Sequence, residues 1–280
     1  MPDTQEQNRS WWERNAMTYD WQRTLNVEEG SRAFFAEVDR RFFESSPFYR
    51  GNPPFADLIP FEHLRGARVL EIGCGMGSHA ELLASAGADL TAVDITERAV
   101  AMTSRRLEFA HLKAEIRQAD AEHLPFSDES FDFVWSWGVI HHSANTEAIL
   151  REILRVLKPG CETRLMVYHR RSIEAFGKLV RGLLTGKLLR GMSVEDVLSH
   201  YSDGYLARHF TRRDFRELLE RVGFRGIATR VLGQRIEMLP FPGRSPLAAM
   251  KQRLLRAVPD TVATRVLSRV GWFLFATARR

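Results

Sequence analysis

The sequence predicts an α/β protein with a doubly wound parallel sheet. Short apolar runs of strand length alternate with amphipathic segments of helical period. The first of these runs opens directly into a glycine-rich turn, and the connections are only a few residues long. Helices that alternate with strands in this way cover both faces of a parallel sheet.

Residues 1–60 are rich in aromatics: Trp11, Trp12, Tyr19, Trp21, Phe34, Phe35, Phe42, Phe43 and Phe48. Between Gly30 and Ser45, Phe34, Phe35, Val38 and Phe42 recur at helical spacing, and Pro47, Pro53 and Pro54 close that helix. This stretch reads as a helical lid segment. The core, 61–170, begins with a buried strand at Arg68–Ile72, then a helix at Ser78–Ala86 closed by Gly87. A strand at Leu90–Val93 and a helix at Glu97–Leu107 follow, then strands at Ala114–Gln118 and Phe131–Trp137. A helix at Glu147–Leu157 is stopped by Lys158, Pro159 and Gly160, and Arg164–Tyr168 is a fifth strand.

There the rhythm breaks. Residues 171–210 read as a cap insertion with a basic amphipathic segment, Phe176, Leu179, Val180, Leu183 and Leu184 against Lys178, Arg181, Lys187 and Arg190. Residues 211–235 return to the core. Thr211 caps a helix to Val222 with Asp214 three residues on, Gly223 ends it, and Phe224–Leu232 is a strand. A second insertion, 236–270, carries Pro240, Pro242 and Pro246, and 271–280 supplies a last strand, Trp272–Ala278. Two late insertions place a cap over the sheet's carboxyl edge.

Composition narrows the class. Hydrophobic residues make up 44% and charged residues 27%, which excludes a disordered or collagen-like chain. No stretch approaches the roughly 18 apolar residues of a membrane span, and Met1–Ser10 has no apolar signal core. Two cysteines, Cys74 and Cys161, build neither a disulfide framework nor a zinc knuckle, so the expected setting is a reducing cytoplasm. The net charge of +5 hides an asymmetry. Residues 1–150 carry 14 Lys/Arg and 24 Asp/Glu, whereas residues 151–280 carry 26 and 11. The basic half suits an anionic lipid surface, an acidic substrate or neutralisation of the acidic half. No recognisable nucleic-acid module is interleaved with it, and no nucleic-acid partner is expected.

The first strand runs into a loop with glycines at 73, 75 and 77, where the backbone turns tightly and lets a ligand approach a helix N-terminus. Dinucleotide enzymes share such loops. Here Ser78 replaces the last glycine of their fingerprint. Glu71, just before the loop, would repel a pyrophosphate but suits a ligand carrying an ammonium and a sulfonium. Asp94, 23 positions on, stands where an acidic residue grips ribose hydroxyls. Asp120 and the backbone N–H of Ala121 follow the third strand, where they can meet an adenine edge.

Together these segments resemble class I S-adenosylmethionine-dependent methyltransferases of the small-molecule type, akin to those of ubiquinone and menaquinone biosynthesis (type 11). The resemblance spans about 100 residues, in order and at family spacing. It rests on Leu70-Glu-Ile-Gly-Cys-Gly-Met-Gly, Ala92-Val-Asp-Ile, Gln118-Ala-Asp-Ala-Glu-His-Leu-Pro-Phe, Phe131-Asp-Phe-Val-Trp, Gly138-Val-Ile-His-His and Leu154-Arg-Val-Leu-Lys-Pro-Gly. It implies a Rossmann-like seven-stranded sheet with an antiparallel last strand and S-adenosyl-L-methionine as cofactor. It also implies a cofactor site formed by Glu71, Gly73, Cys74, Gly75, Gly77, Asp94, Ile95, Asp120 and Ala121, with Trp137 beside the methionine portion. Cys161 departs from the family's usual second glycine after Lys-Pro-Gly.

The expected chemistry is metal-independent, in-line methyl transfer to a small-molecule acceptor, which needs alignment, a dry pocket and, for a protonated nucleophile, a base. His141 and His142, just past the fourth strand, are the candidate bases. Trp12, Tyr19, Tyr201, Asp203, Tyr205 and His209 are candidate acceptor contacts. Three readings remain open beside the leading one. The acceptor could be a lipid or quinone at a membrane surface, with peripheral membrane contact through the basic segment at 176–190. The chain could bind the cofactor without catalysis, or be an oxidoreductase. The acceptor, the methylated atom and the oligomeric state are not fixed by the sequence.

Overall fold

The protein is described from a computed structural model covering residues 3–18, 26–44, 49, 51–238 and 248–280. Two helices, α1 (Thr4–Arg14) and α2 (Arg32–Glu44), precede the sheet. The alternating core follows: β1 (Arg68–Ile72), α3 (Ser78–Ser85), β2 (Asp89–Asp94), α4 (Glu97–Phe109), β3 (Glu115–Gln118), β4 (Phe131–Trp137), α5 (Thr146–Val156) and β5 (Leu157–His169). Two helices of the insertion, α6 (Ile173–Leu184) and α7 (Val194–His200), lead to a two-residue strand, β6 (His209–Phe210). The chain ends with α8 (Arg212–Val222), β7 (Arg225–Leu232), α9 (Ala248–Ala257), α10 (Asp260–Val270) and β8 (Phe273–Arg279).

The strands lie in the order β3-β2-β1-β4-β5-β8-β7, and β8 runs antiparallel to both neighbours. β6 pairs with the end of β5, off that path. Because successive residues of a strand face opposite ways, β1 sends Leu70 and Ile72 to one core and Val69 to the other. The first core packs against Leu150 and Ile153 of α5 and Phe215 and Leu219 of α8. The second packs against Leu83 of α3 and Phe42 of α2.

Two boundaries differ from the sequence reading. β5 begins at Leu157, upstream of the expected Arg164, because Leu157 already pairs with Phe131. The Lys158–Gly160 turn is absorbed as a register shift, pinned by Lys158 Nζ donating to Asp132 at 2.6 Å. The polar start of the chain, which has no apolar periodicity, forms α1. Pro47, Pro240, Pro242 and Pro246 lie outside the described residues. Among the described residues, no helix is long and apolar enough to cross a membrane.

Candidate functional site

The glycine loop is tied to the carboxyl end of the sheet. The N–H groups of Gly73 and Cys74 both donate to the Val93 carbonyl, at 2.7 and 3.1 Å. At Gly73 (φ 81°) a Cβ would lie 2.1 Å from Val139 Cγ2; at Gly75 (φ 51°) it would meet nothing within 4 Å. Gly75 therefore presents bare backbone to open space. That space is a cavity of about 1270 Å³ over the sheet's carboxyl edge. Its floor is the glycine loop and the ends of β2 and β4, and its walls include Trp12 of α1, Lys178 and Arg181 of α6, and Trp272.

Gly73, Cys74, Gly75, Asp94, Ile95, Asp120, Ala121, Trp137, His142, Trp12, Tyr201 and Asp203 all line this cavity. Five other expected residues do not. Glu71 is 1% exposed beneath the loop, with Oε1 3.8 Å from His79 Nδ1. Burial, reinforced by the charge of Asp94, pushes its carboxyl up to about 8, and burial pushes His79 down to about 3. With a carboxyl near 8 and an imidazole near 3, this buried pair carries little charge at neutral pH. Gly77 turns away from the cavity, towards Thr103 and Arg106 of α4. Tyr205 is half-exposed outside the cavity. His209 is half-buried behind Ser202, and desolvation drives it down to about 3. Tyr19 lies outside the described residues.

The fifth is His141, fully buried between His142 and Tyr168, with ring centroids 4.1 and 3.9 Å away. Burial holds its pKa well below the ordinary value, and neither ring nitrogen has a partner. His142 differs. It lines the cavity, its Nδ1 lies 2.7 Å from the Leu206 carbonyl, and Trp12 packs against its ring at 4.9 Å. A carbonyl only accepts, so Nδ1 carries the proton and Nε2 keeps its lone pair. Nε2 has no hydrogen-bond partner, and burial lowers the pKa, leaving the ring neutral at physiological pH.

The residues fit an adenosyl group. Asp94 Oδ1 accepts from the N–H and the hydroxyl of Thr96, and Oδ2 accepts from the Gly75 N–H at 3.1 Å. One lone-pair site on Oδ2 remains for a ribose hydroxyl. Asp120 Oδ1 accepts from the Glu122 N–H and from Gln5 of α1, each at 2.9 Å, which leaves Oδ2 for an exocyclic amine. The bare Gly75 backbone allows close approach beside them.

Sequence reasoning gave no site role to several cavity residues. Gln5 bridges Asp120 and the Ala144 N–H. Tyr168, at the end of β5, donates to Asp203 at 2.8 Å. Lys178 is 6% exposed. Its Nζ donates to Ser202 at 2.9 Å and sits 4.8 Å above the Trp272 ring. Of these, Lys178 left a trace in the sequence, as one of the cations set against the apolar residues of the amphipathic segment.

A family model described as a methyltransferase domain matches residues 70–163. The chain is similar to the 27-O-demethylrifamycin SV methyltransferase of Amycolatopsis mediterranei, 30% identical over 200 residues that cover 66% of this chain and 71% of that protein. It is 36% identical over 104 residues to a ubiquinone biosynthesis O-methyltransferase of Roseobacter denitrificans, covering 37% and 42% of the two chains. A phosphoethanolamine N-methyltransferase 2 from Haemonchus contortus superposes with a TM-score of 0.62 at 18% identity. That match covers 98% of this chain but 60% of the nematode protein, and it shows the fold. With the glycine loop, Asp94 and Asp120 disposed around one cavity, the chain belongs to the class I S-adenosylmethionine-dependent methyltransferases, and S-adenosyl-L-methionine is its methyl donor.

Proposed function

We propose that the chain transfers a methyl group to a hydroxyl of a small organic acceptor, with His142 as general base. The observation that carries the reading is the fixed tautomer of His142, a residue that lines the cavity: Nδ1 is committed to the Leu206 carbonyl, and Nε2 has no partner. Two relatives whose names put the methyl on oxygen support a hydroxyl acceptor. At about 1270 Å³ the cavity exceeds the roughly 300–1,000 Å³ of a typical small-molecule site, so donor and acceptor fit side by side.

Bound S-adenosylmethionine supplies a methyl group already activated by its sulfonium. The chain adds alignment, exclusion of water and a place for the hydroxyl proton. Asp94, Asp120, Ile95 and the Gly75 backbone hold the donor. Trp12, Tyr201 and Asp203 form the acceptor wall, with Tyr168 fixing the Asp203 carboxylate. His142 Nε2 would take the acceptor's hydroxyl proton as that oxygen displaces S-adenosylhomocysteine, the sulfur–methyl bond breaking as the oxygen–methyl bond forms. Nε2 is closed off from solvent and Trp12 packs against the His142 ring, so the acceptor must open this packing as it arrives. Residues 1–60 and 171–210 act as the cap, and the two free cysteines suit a cytoplasmic setting.

The test is His142→Ala. Labelled methyl transfer should fall by roughly 10²-fold or more, while calorimetry gives unchanged S-adenosylhomocysteine affinity. Full turnover in the variant would remove the base and leave the family assignment intact.

A further inference from the structure

Among the described residues, exposed large apolar side chains concentrate on one segment. Phe176, Val180, Leu183 and Leu184 of α6 are 67%, 39%, 51% and 81% exposed, and Leu189 just beyond is 78% exposed. Their spacing on α6 sets them in one stripe. The helix packs inward by another face. Ala175, Lys178 and Gly182 are buried, and a Cβ on Gly182 would come within 2.5 Å of Val197 in α7. The exposed stripe is therefore additional to the face that holds α6 in place.

The segment itself is cationic, with Lys178 turned inward and Glu174 just before it. Residues 176–191 contain Lys178, Arg181, Lys187 and Arg190 and no Asp or Glu. Val180, Arg181 and Leu184 also line the cavity, so stripe and cavity meet on one helix. We propose that this face of α6 and the following turn docks on an anionic phospholipid surface. The apolar side chains enter the headgroup boundary, and Arg181, Lys187 and Arg190 meet the lipid charge. Both halves of the pattern are needed for such a partner: apolar area for burial and cations beside it for attraction. A second copy of the chain suits the face less well, because two-fold pairing of one patch brings its own cations together. Docked in this way, the cavity opens beside the bilayer, and a lipophilic acceptor reaches it without crossing water. That consequence rests on the small-molecule methyltransferase reading; the docking does not.

The test is co-sedimentation of the full chain with vesicles of phosphatidylcholine alone or mixed with phosphatidylglycerol. Wild type should pellet with the mixed vesicles only and be released by salt. The double variant Phe176→Glu/Leu189→Glu changes two exposed positions outside the cavity lining. It should lower the bound fraction about tenfold or more while keeping the melting temperature and the S-adenosylhomocysteine affinity. Wild type that stays in the supernatant with mixed vesicles overturns the proposal, as does a variant that pellets like wild type. So does a wild-type dimer in light scattering that the variant converts to monomer, which would assign the face to a second copy. The two readings fail separately: S-adenosylhomocysteine binding reports on the methyltransferase site and pelleting on the docking face.

Discussion

Gly73, Gly75 and Gly77 all hold positive φ, yet a methyl group added to each would meet different surroundings. At Gly73 it would strike Val139, so Gly73→Ala combines left-handed strain of about 1–2 kcal/mol with overpacking of about 1–3 kcal/mol. At Gly75 only the strain applies, but the methyl group projects into the space the donor needs. Gly73→Ala should lower the melting temperature more, and Gly75→Ala should weaken S-adenosylhomocysteine binding more. Melts and calorimetry on both variants check this, and the reverse ranking would overturn the loop geometry. The spacing of the glycines was legible in the sequence; their neighbours were not, because those come from the turn after β4 and from α4. The two histidines make the same point. His141 and His142 are adjacent in a single 3-10 turn, Ile140–His142, and the turn sends one ring into the core and the other to the cavity wall.

Most of the alternating core elements were legible because they carry an apolar period that burial on the sheet requires; β3, Glu-Ile-Arg-Gln with no buried residue, is the exception. The Thr211–Asp214 capping box marked the start of α8 and forms as expected. α1 escaped notice for a physical reason: its one fully buried residue is Asn8, so it has no apolar stripe, and side-chain hydrogen bonds help to dock it. Gln5 spans from Asp120 to Ala144, and Glu13 accepts from the Arg98 N–H at 3.1 Å. β6, only two residues long, is likewise below what periodicity can register. If α1 closes the donor site, Gln5→Ala should loosen it. Losing two bonds of about 1 kcal/mol each predicts S-adenosylhomocysteine binding weaker by about thirtyfold, with faster release in stopped flow. Unchanged release would mean that α1 covers the site without gating it.

At the scale of the whole molecule, the buried titratable groups set the pH dependence of stability, and their signs differ. Glu71 and Glu237 are both pushed up to about 8 by burial. The folded chain therefore holds two protons that the unfolded chain sheds above about 4.5, so these groups favour folding most at low pH and lose that contribution as pH rises towards 8. His79 and His209 are both driven down to about 3, and burial also lowers His141, His142 and His169. Unfolded histidines take up protons below about 6.5, so stability falls as pH drops beneath that value. Between about 4.5 and 6.5 the two sets oppose each other, and the five histidines outnumber the two carboxyls. Above about 6.5 the histidines stop contributing and the slope is that of Glu71 and Glu237, opposed by Lys178, whose pKa burial lowers. Stability should therefore peak near pH 6.5 and decline towards pH 8, by up to about 1.4 kcal/mol per pH unit for each carboxyl. Glu71→Gln keeps the neutral form of that side chain at every pH, and should flatten the alkaline limb by roughly half. Urea unfolding of both proteins at pH 6.5 and pH 8 measures the two slopes. A wild-type curve that is level between those points would show that Glu71 is ionised in the folded chain. It would then be a charge beneath the glycine loop, able to act on the donor's ammonium.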